Sequence, residues 1–128
     1  FNAIFWELIS SFPESALAPF FIKSAKNENF RITFLKYLND NLGRKLSIEE
    51  MAKAMNMSES SFAHTSRQIL GTTPAKTFLA CKLERAARLL KESNMTIKEI
   101  SDTLAFEDQF HFSKTFRKYF GLPPSSLK

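Results

Sequence analysis

The 128-residue chain holds a single cysteine, Cys81, so neither an intramolecular disulfide nor a cysteine-built zinc cage can form. A lone thiol suits a reducing compartment. Three glycines leave little material for a Gly-rich phosphate loop, and neither GxGxxG nor GxxxxGK[ST] occurs. No run approaches the ~18 consecutive apolar residues of a membrane-spanning helix. Asn-Gly and Asp-Gly hairpin turns are missing and β-branched residues are scattered, which removes the usual signals of a sheet. The two histidines, His64 and His111, stand far apart and form no catalytic or metal-ligating constellation. No catalytic residue, metal or cofactor is therefore expected.

What the chain does have is enough apolar material to fold and an excess of positive charge. Hydrophobic residues make up 44% and charged residues 24%, the composition of an ordinary packed domain rather than a disordered segment. Eighteen Lys and Arg against 13 Asp and Glu give +5, with a pI near 9.5. Residues 1–28 carry Glu7, Glu14 and Glu28 against Lys23 and Lys26, which leaves 16 basic and 10 acidic residues, a net of +6, for residues 29–128. A basic balance of this kind suits nucleic acid or another anionic surface.

The chain starts at Phe1 and shows no signal-peptide pattern, and we read it as a piece of a longer protein. Ile4, Phe5, Leu8, Ile9 and Phe12 recur at helical spacing, and Leu17, Phe20, Phe21 and Ile22 come after Pro13. Residues 1–28 either pack on residues 29–128 or form the tail of an N-terminal regulatory or dimerisation domain. The second is the expectation.

From residue 29 onward the helical signals sharpen. Phe30, Phe34, Leu38 and Leu42 repeat at i+4, with Gly43 as the expected C-cap. Ser47-Ile48-Glu49-Glu50 is a capping box, and Ile48, Met51, Ala52 and Met55 are expected to face inward from its helix. Thr73-Pro74 starts another helix, with threonine as N-cap and proline at N1, where its missing N–H costs nothing. The stripe Leu79, Leu83, Ala86 and Leu90 predicts that this helix runs unbroken to about Glu92.

Then the pattern repeats. Thr96-Ile97-Lys98-Glu99 is a second capping box, 49 residues after the first, and Ile97, Ile100, Ser101 and Leu104 take the places of the earlier apolar set. Phe62, Leu70, Gly71 and Pro74 find counterparts 50 residues on, at Phe112, Phe120, Gly121 and Pro124. The second copy thus has one extra residue, within Ala105 to Asp108. The expected fold is all-α: two helix-turn-helix subdomains, about 29–73 and 93–128, joined by a linker helix of about 74–92, with an N-terminal helical extension. In such a unit the first helix braces the second, whose N-terminal side chains can reach base edges in the ~12 Å major groove. The candidate reading helices are about 59–70 and 108–120.

Residues 30–128 resemble the AraC-type (AraC/XylS) DNA-binding domain of bacterial transcription regulators. The likeness is densest in Ile97-Lys98-Glu99-Ile100-Ser101, in Phe106-Glu107-Asp108-Gln109-Phe110-His111-Phe112-Ser113-Lys114-Thr115-Phe116-Arg117-Lys118-Tyr119-Phe120-Gly121, and in Pro124. Lys82-Leu83, Ala86 and Leu89-Leu90 are similar to the family's linker-helix motif. The chain departs from the family in having Ala105 where glycine is usual, Ser66 at the place of the core Phe116, and His64, Lys82 and Lys114 where arginine is common.

The resemblance implies a cytoplasmic, sequence-specific transcription regulator whose partner is double-stranded DNA, and no enzyme. It implies base-reading roles for Ser60, Ala63 and His64 in the first copy and for Gln109, Phe110, His111 and Lys114 in the second. Gln109 suits adenine and Lys114 guanine, while Phe110 either meets a thymine methyl or packs on its own subdomain. Arg67, Gln68, Ser113, Arg117 and Lys118 are the expected phosphate contacts. Specificity is expected mainly from the second copy. An effector, or dimerisation, is expected to work only through an N-terminal domain. The competing reading is a helical module whose basic face docks an acidic partner such as RNA polymerase.

Overall fold

A computed structural model describes residues 14–128, with side chains from Lys26 onward. The apolar positions expected to be helical at residues 4–12 lie outside the described residues. Helix α1, Glu14–Asn39, crosses the 28/29 point without a break. The chain divides at Thr33/Phe34 into two compact units. In the first, the stretch of α1 from Lys26 to Thr33 exposes Lys26, Glu28, Arg31 and Ile32, with Asn27 and Phe30 half-buried.

The second unit begins with the end of α1, where Phe34 and Leu38 are fully buried and Leu42 joins the same core. Gly43 is not the helix cap. The helix ends at Asn39 as its last turn tightens, with Asp40 N donating to Lys36 O at 2.9 Å and Asn41 N to Leu38 O at 3.0 Å, while Asn39 Nδ2 donates to Leu35 O at 2.8 Å and Asn41 Nδ2 to Tyr37 O at 2.7 Å. Gly43 serves close approach instead, since a Cβ there would stand 3.2 Å from the Thr103 carbonyl oxygen.

Two short helices then start from the two capping boxes. Helix α2, Ile48–Ala54, and helix α5, Ile97–Thr103, each have the hydroxyl accepting the N3 amide while the glutamate takes the cap amide. Both stop in the same way. Asn56 and Ala105 adopt positive φ, 56° and 59°, and Met57 N and Phe106 N close back to Ala52 O and Ser101 O at 2.9 and 3.0 Å. The turns match through Met57 and Phe106, and the next caps are Ser58 and Asp108, so the extra residue of the second copy is Glu107. Met51, Ala52, Ile100, Ser101 and Leu104 are buried; Ile48, expected inward, is 40% exposed because it opens its helix on the outer side.

Helices α3, Glu59–Leu70, and α6, Gln109–Phe120, come after the turns, capped at their starts by Ser58 and Asp108. Both end on a left-handed glycine, Gly71 at φ 74° and Gly121 at φ 82°, a conformation that costs other residues about 1–2 kcal/mol. Between the copies runs α4, Pro74–Glu92, with Thr73 accepting from the Lys76 amide. Its 19 residues span about 28 Å. Helix α4 packs on α3, α5, α6 and the closing 3₁₀ turn Pro124–Leu127. The described residues contain helix and turn and no strand.

The two cores are filled differently. In the second, Phe112 tilts on Phe116 at 5.7 Å and meets Phe106 edge-on at 5.0 Å. In the first, Phe62 takes its edge-on partner from α1, Phe34 at 5.3 Å. Ser66, at the place of Phe116, is fully buried, and its hydroxyl donates to the Phe62 carbonyl at 2.7 Å.

Candidate nucleic-acid interface

Burial of Phe62 and Ser66 on α3, and of Phe112 and Phe116 on α6, fixes which side chains face away from the core. At helical spacing the outward positions are Ser60, His64 and Arg67 on the first helix and Phe110, Lys114 and Arg117 on the second, all exposed. The same three places are thus presented twice. Among the described residues no carboxylate comes within ion-pair distance of Arg67, Lys114, Arg117 or Lys118, whereas Lys36–Asp40, Arg44–Glu50 and Lys98–Asp102 are paired.

The remaining expected site residues fall on the flanks. Ala63 is exposed and its counterpart Ser113 half-buried, one on each helix at the same place. Gln68 and Lys118 are likewise counterparts and both exposed. Gln109 is the first residue of α6, and His111 is held by the cap, its amide donating to Asp108 Oδ1 at 2.6 Å. The His111 ring lies tilted against Phe106, with centroids 5.9 Å apart. Phe110 does not pack on its own subdomain: it is 79% exposed, an unusual cost for a phenylalanine at the start of a helix.

Three features were not anticipated from sequence. Tyr119 donates its hydroxyl to Glu84 Oε2 at 3.0 Å and so pins the end of α6 to α4; burial, with Glu84, pushes this phenol up from its usual range. An open groove of about 990 Å³ between α4 and α6 brings Lys76 and Thr77 beside His111, Lys114 and Lys118. Glu59 occupies the place that Gln109 has in the second copy, so the first reading helix opens on a carboxylate, favourable to the helix dipole but repulsive toward phosphate. The Glu59–Gln109 contrast was readable from the 50-residue offset. Cys81 is half-buried, and burial, with Glu84, raises its thiol above the ordinary value, which disfavours a reactive thiolate.

Two capped helix-turn-helix units on one helix, the first turning Arg67 and the second Lys114, Arg117 and Lys118 to solvent from its second helix, define a DNA-binding protein. A family model described as a helix-turn-helix domain matches residues 51–128. The chain belongs to the AraC-type helix-turn-helix family of DNA-binding transcription regulators, which are not enzymes. The MmsAB operon regulatory protein of Pseudomonas aeruginosa is 32% identical over 92 residues, 72% of this chain and 30% of the relative. The raffinose operon regulatory protein RafR of Pediococcus pentosaceus is 29% identical over 122 residues, 95% of this chain and 43% of the relative. The chain therefore spans less than half the length of these curated relatives.

Among solved structures, an AraC-type transcriptional regulator from Chromobacterium violaceum superposes with a TM-score of 0.75 at 27% identity, over 80% of this chain and 92% of that one. The DNA-binding domain of the global transcriptional factor AdpA, solved with a target DNA, shares the fold at a TM-score of 0.68 and 22% identity, over 73% of this chain and 84% of that one.

Proposed function

We propose that the chain reads a bipartite DNA site by placing α3 and α6 in successive major grooves on one face of the duplex. The observation that carries this reading is the doubled presentation of one exposed face: Ser60, His64 and Arg67, then Phe110, Lys114 and Arg117. Helix α4, about 28 Å long, separates two units whose targets lie about one helical turn, ~34 Å, apart. Gln109 pairs with adenine, Lys114 with guanine O6/N7, and the exposed Phe110 ring presses a thymine methyl. Ser60, Ala63, His64 and His111 make the lesser base contacts. Arg67, Gln68, Ser113, Arg117 and Lys118 hold phosphates, and Lys76 on the groove rim joins them. The place of work is the bacterial cytoplasm, where that DNA lies.

Sites selected from random DNA, with binding then measured over a range of salt, test this. The expected result is a two-part consensus and a log–log salt slope of about −3.5 to −5.5, from roughly four to six phosphate clamps. Affinity indifferent to DNA sequence, or a one-part consensus, overturns the reading.

A further inference from the structure

Lys82 lies on the core side of α4, four residues after the buried Phe78 and four before the buried Ala86, and is only 6% exposed. Its Nζ donates to the carbonyl of Arg44 at 3.1 Å and to that of Leu104 at 2.7 Å. These two acceptors belong to different copies. Arg44 sits in the loop that leads into α2, and Leu104 caps the end of α5. An ammonium has three donors, and the Phe78 ring, 4.6 Å from Nζ to its centroid, offers a π face to the charge, with Phe106 at 5.9 Å.

The first loop is itself fixed. The Arg44 guanidinium grips Glu50 Oε2 at 2.7 and 3.0 Å, and the same glutamate closes the capping box on Ser47. Close to Lys82, Gly43 and the Thr103 carbonyl approach so nearly that a Cβ would reach 3.2 Å. Two independent features, one polar and one steric, thus join the same two loops.

A buried charge is a costly way to hold a core together, and an apolar side chain of similar volume commonly does so as well or better. What an apolar side chain cannot do is fix a direction between two carbonyls. We propose that Lys82 is a positioning residue: by bridging the Arg44 and Leu104 carbonyls it sets how the two helix-turn-helix units are turned toward each other, and with it the spacing of DNA half-sites the protein accepts. This rests on the bipartite reading proposed above. Each unit alone holds its half-site through its own reading helix. The joint affinity depends on how well the second unit is already aimed when the first has bound, which is an effective-concentration term.

The test uses the whole chain and its best selected site. Binding is measured for the wild type, Lys82→Met and Lys82→Arg on that site, on each half-site alone, and on versions with one, two or three base pairs inserted between the halves. The wild type is expected to lose about tenfold or more on the first insertion, since each base pair also rotates the second groove away. Lys82→Met is expected to bind the best site roughly tenfold more weakly, to keep half-site affinities within about twofold, and to show a flattened spacing profile. Lys82→Arg, whose fork can still span both carbonyls, should restore the wild-type profile. Gly43→Val disturbs the same junction without touching the lysine, and should flatten the profile as well. An unchanged spacing profile in Lys82→Met, or half-site binding that falls in step with the whole, overturns the proposal. Should Lys82→Met not fold, the Gly43→Val profile decides by the same criteria. A wild type that selects one-part sites removes the bipartite reading, and this proposal with it.

Discussion

Ala105 is held at φ 59° by the turn that launches the second reading helix, at a position where the family usually has glycine. A left-handed alanine costs about 1–2 kcal/mol, while glycine returns about 0.4–1 kcal/mol of that through the entropy of the unfolded chain. Ala105→Gly should therefore stabilise the protein by about 0.5–1 kcal/mol, read as a higher urea midpoint at unchanged slope; a lower midpoint would contradict the strain argument. Ser66 poses the opposite case. It stands where the other copy has phenylalanine, yet it is fully buried with its hydroxyl bonded to the preceding turn, and Phe34 already lies edge-on to Phe62. Ser66→Phe should overpack the first core and destabilise by about 1–3 kcal/mol, visible as a lowered Tm. Comparing the copies along the chain identified the missing ring at Ser66, but not Phe34 as the partner of Phe62, because Phe34 comes from α1, a helix outside the repeat.

At the scale of the element, the caps were legible because they are local. Ser47, Thr73 and Thr96 each accept the amide three residues on, as their sequence neighbours require, and the period that buries Phe112 and Phe116 turns Phe110, Lys114 and Arg117 outward. The end of α1 was not legible, since its last turn closes with Asn41 N on Leu38 O, ahead of Gly43, which offered the more familiar signal. The two reading helices differ in a way that bears on specificity. Helix α6 opens on Gln109 and carries Lys114, whereas α3 opens on Glu59 and carries His64. Gln109→Ala and Lys114→Ala should each cost roughly 1–3 kcal/mol on the best site and flatten preference at their own base pairs. Arg67→Ala should weaken all DNA about equally and reduce the salt slope by about one unit. Binding to single-base variants of the site at fixed salt checks the set; greater loss of preference in His64→Ala than in the two second-copy variants together would reverse this order.

For the molecule as a whole, the bridging ammonium makes stability depend on pH. Burial strips hydration from Lys82, and Lys45 adds a like charge, so its pKa falls from 10.5 to about 8. The unfolded chain keeps that proton to higher pH. Between about pH 8 and 10.5 the unfolded state binds more protons, and this group's contribution to stability rises with pH; below pH 8 its cost is constant. Urea unfolding of wild type and Lys82→Met should therefore show the difference moving in favour of the wild type by about 1–3 kcal/mol between pH 7.5 and 10. A constant difference would mean that the amine titrates alike in both states. Lys82 was marked in the sequence as part of the linker-helix motif, but its bridging role was not, because its partners are 38 and 22 residues away, beyond the reach of any periodicity. Phe110 has a consequence of another kind. A ring left 79% exposed keeps a shell of ordered water around the free protein, and closing that surface against a thymine methyl would release it. Titration calorimetry at several temperatures would then record a negative heat-capacity change on binding, smaller in magnitude for Phe110→Ala, so that part of the affinity grows from solvent rather than from charge.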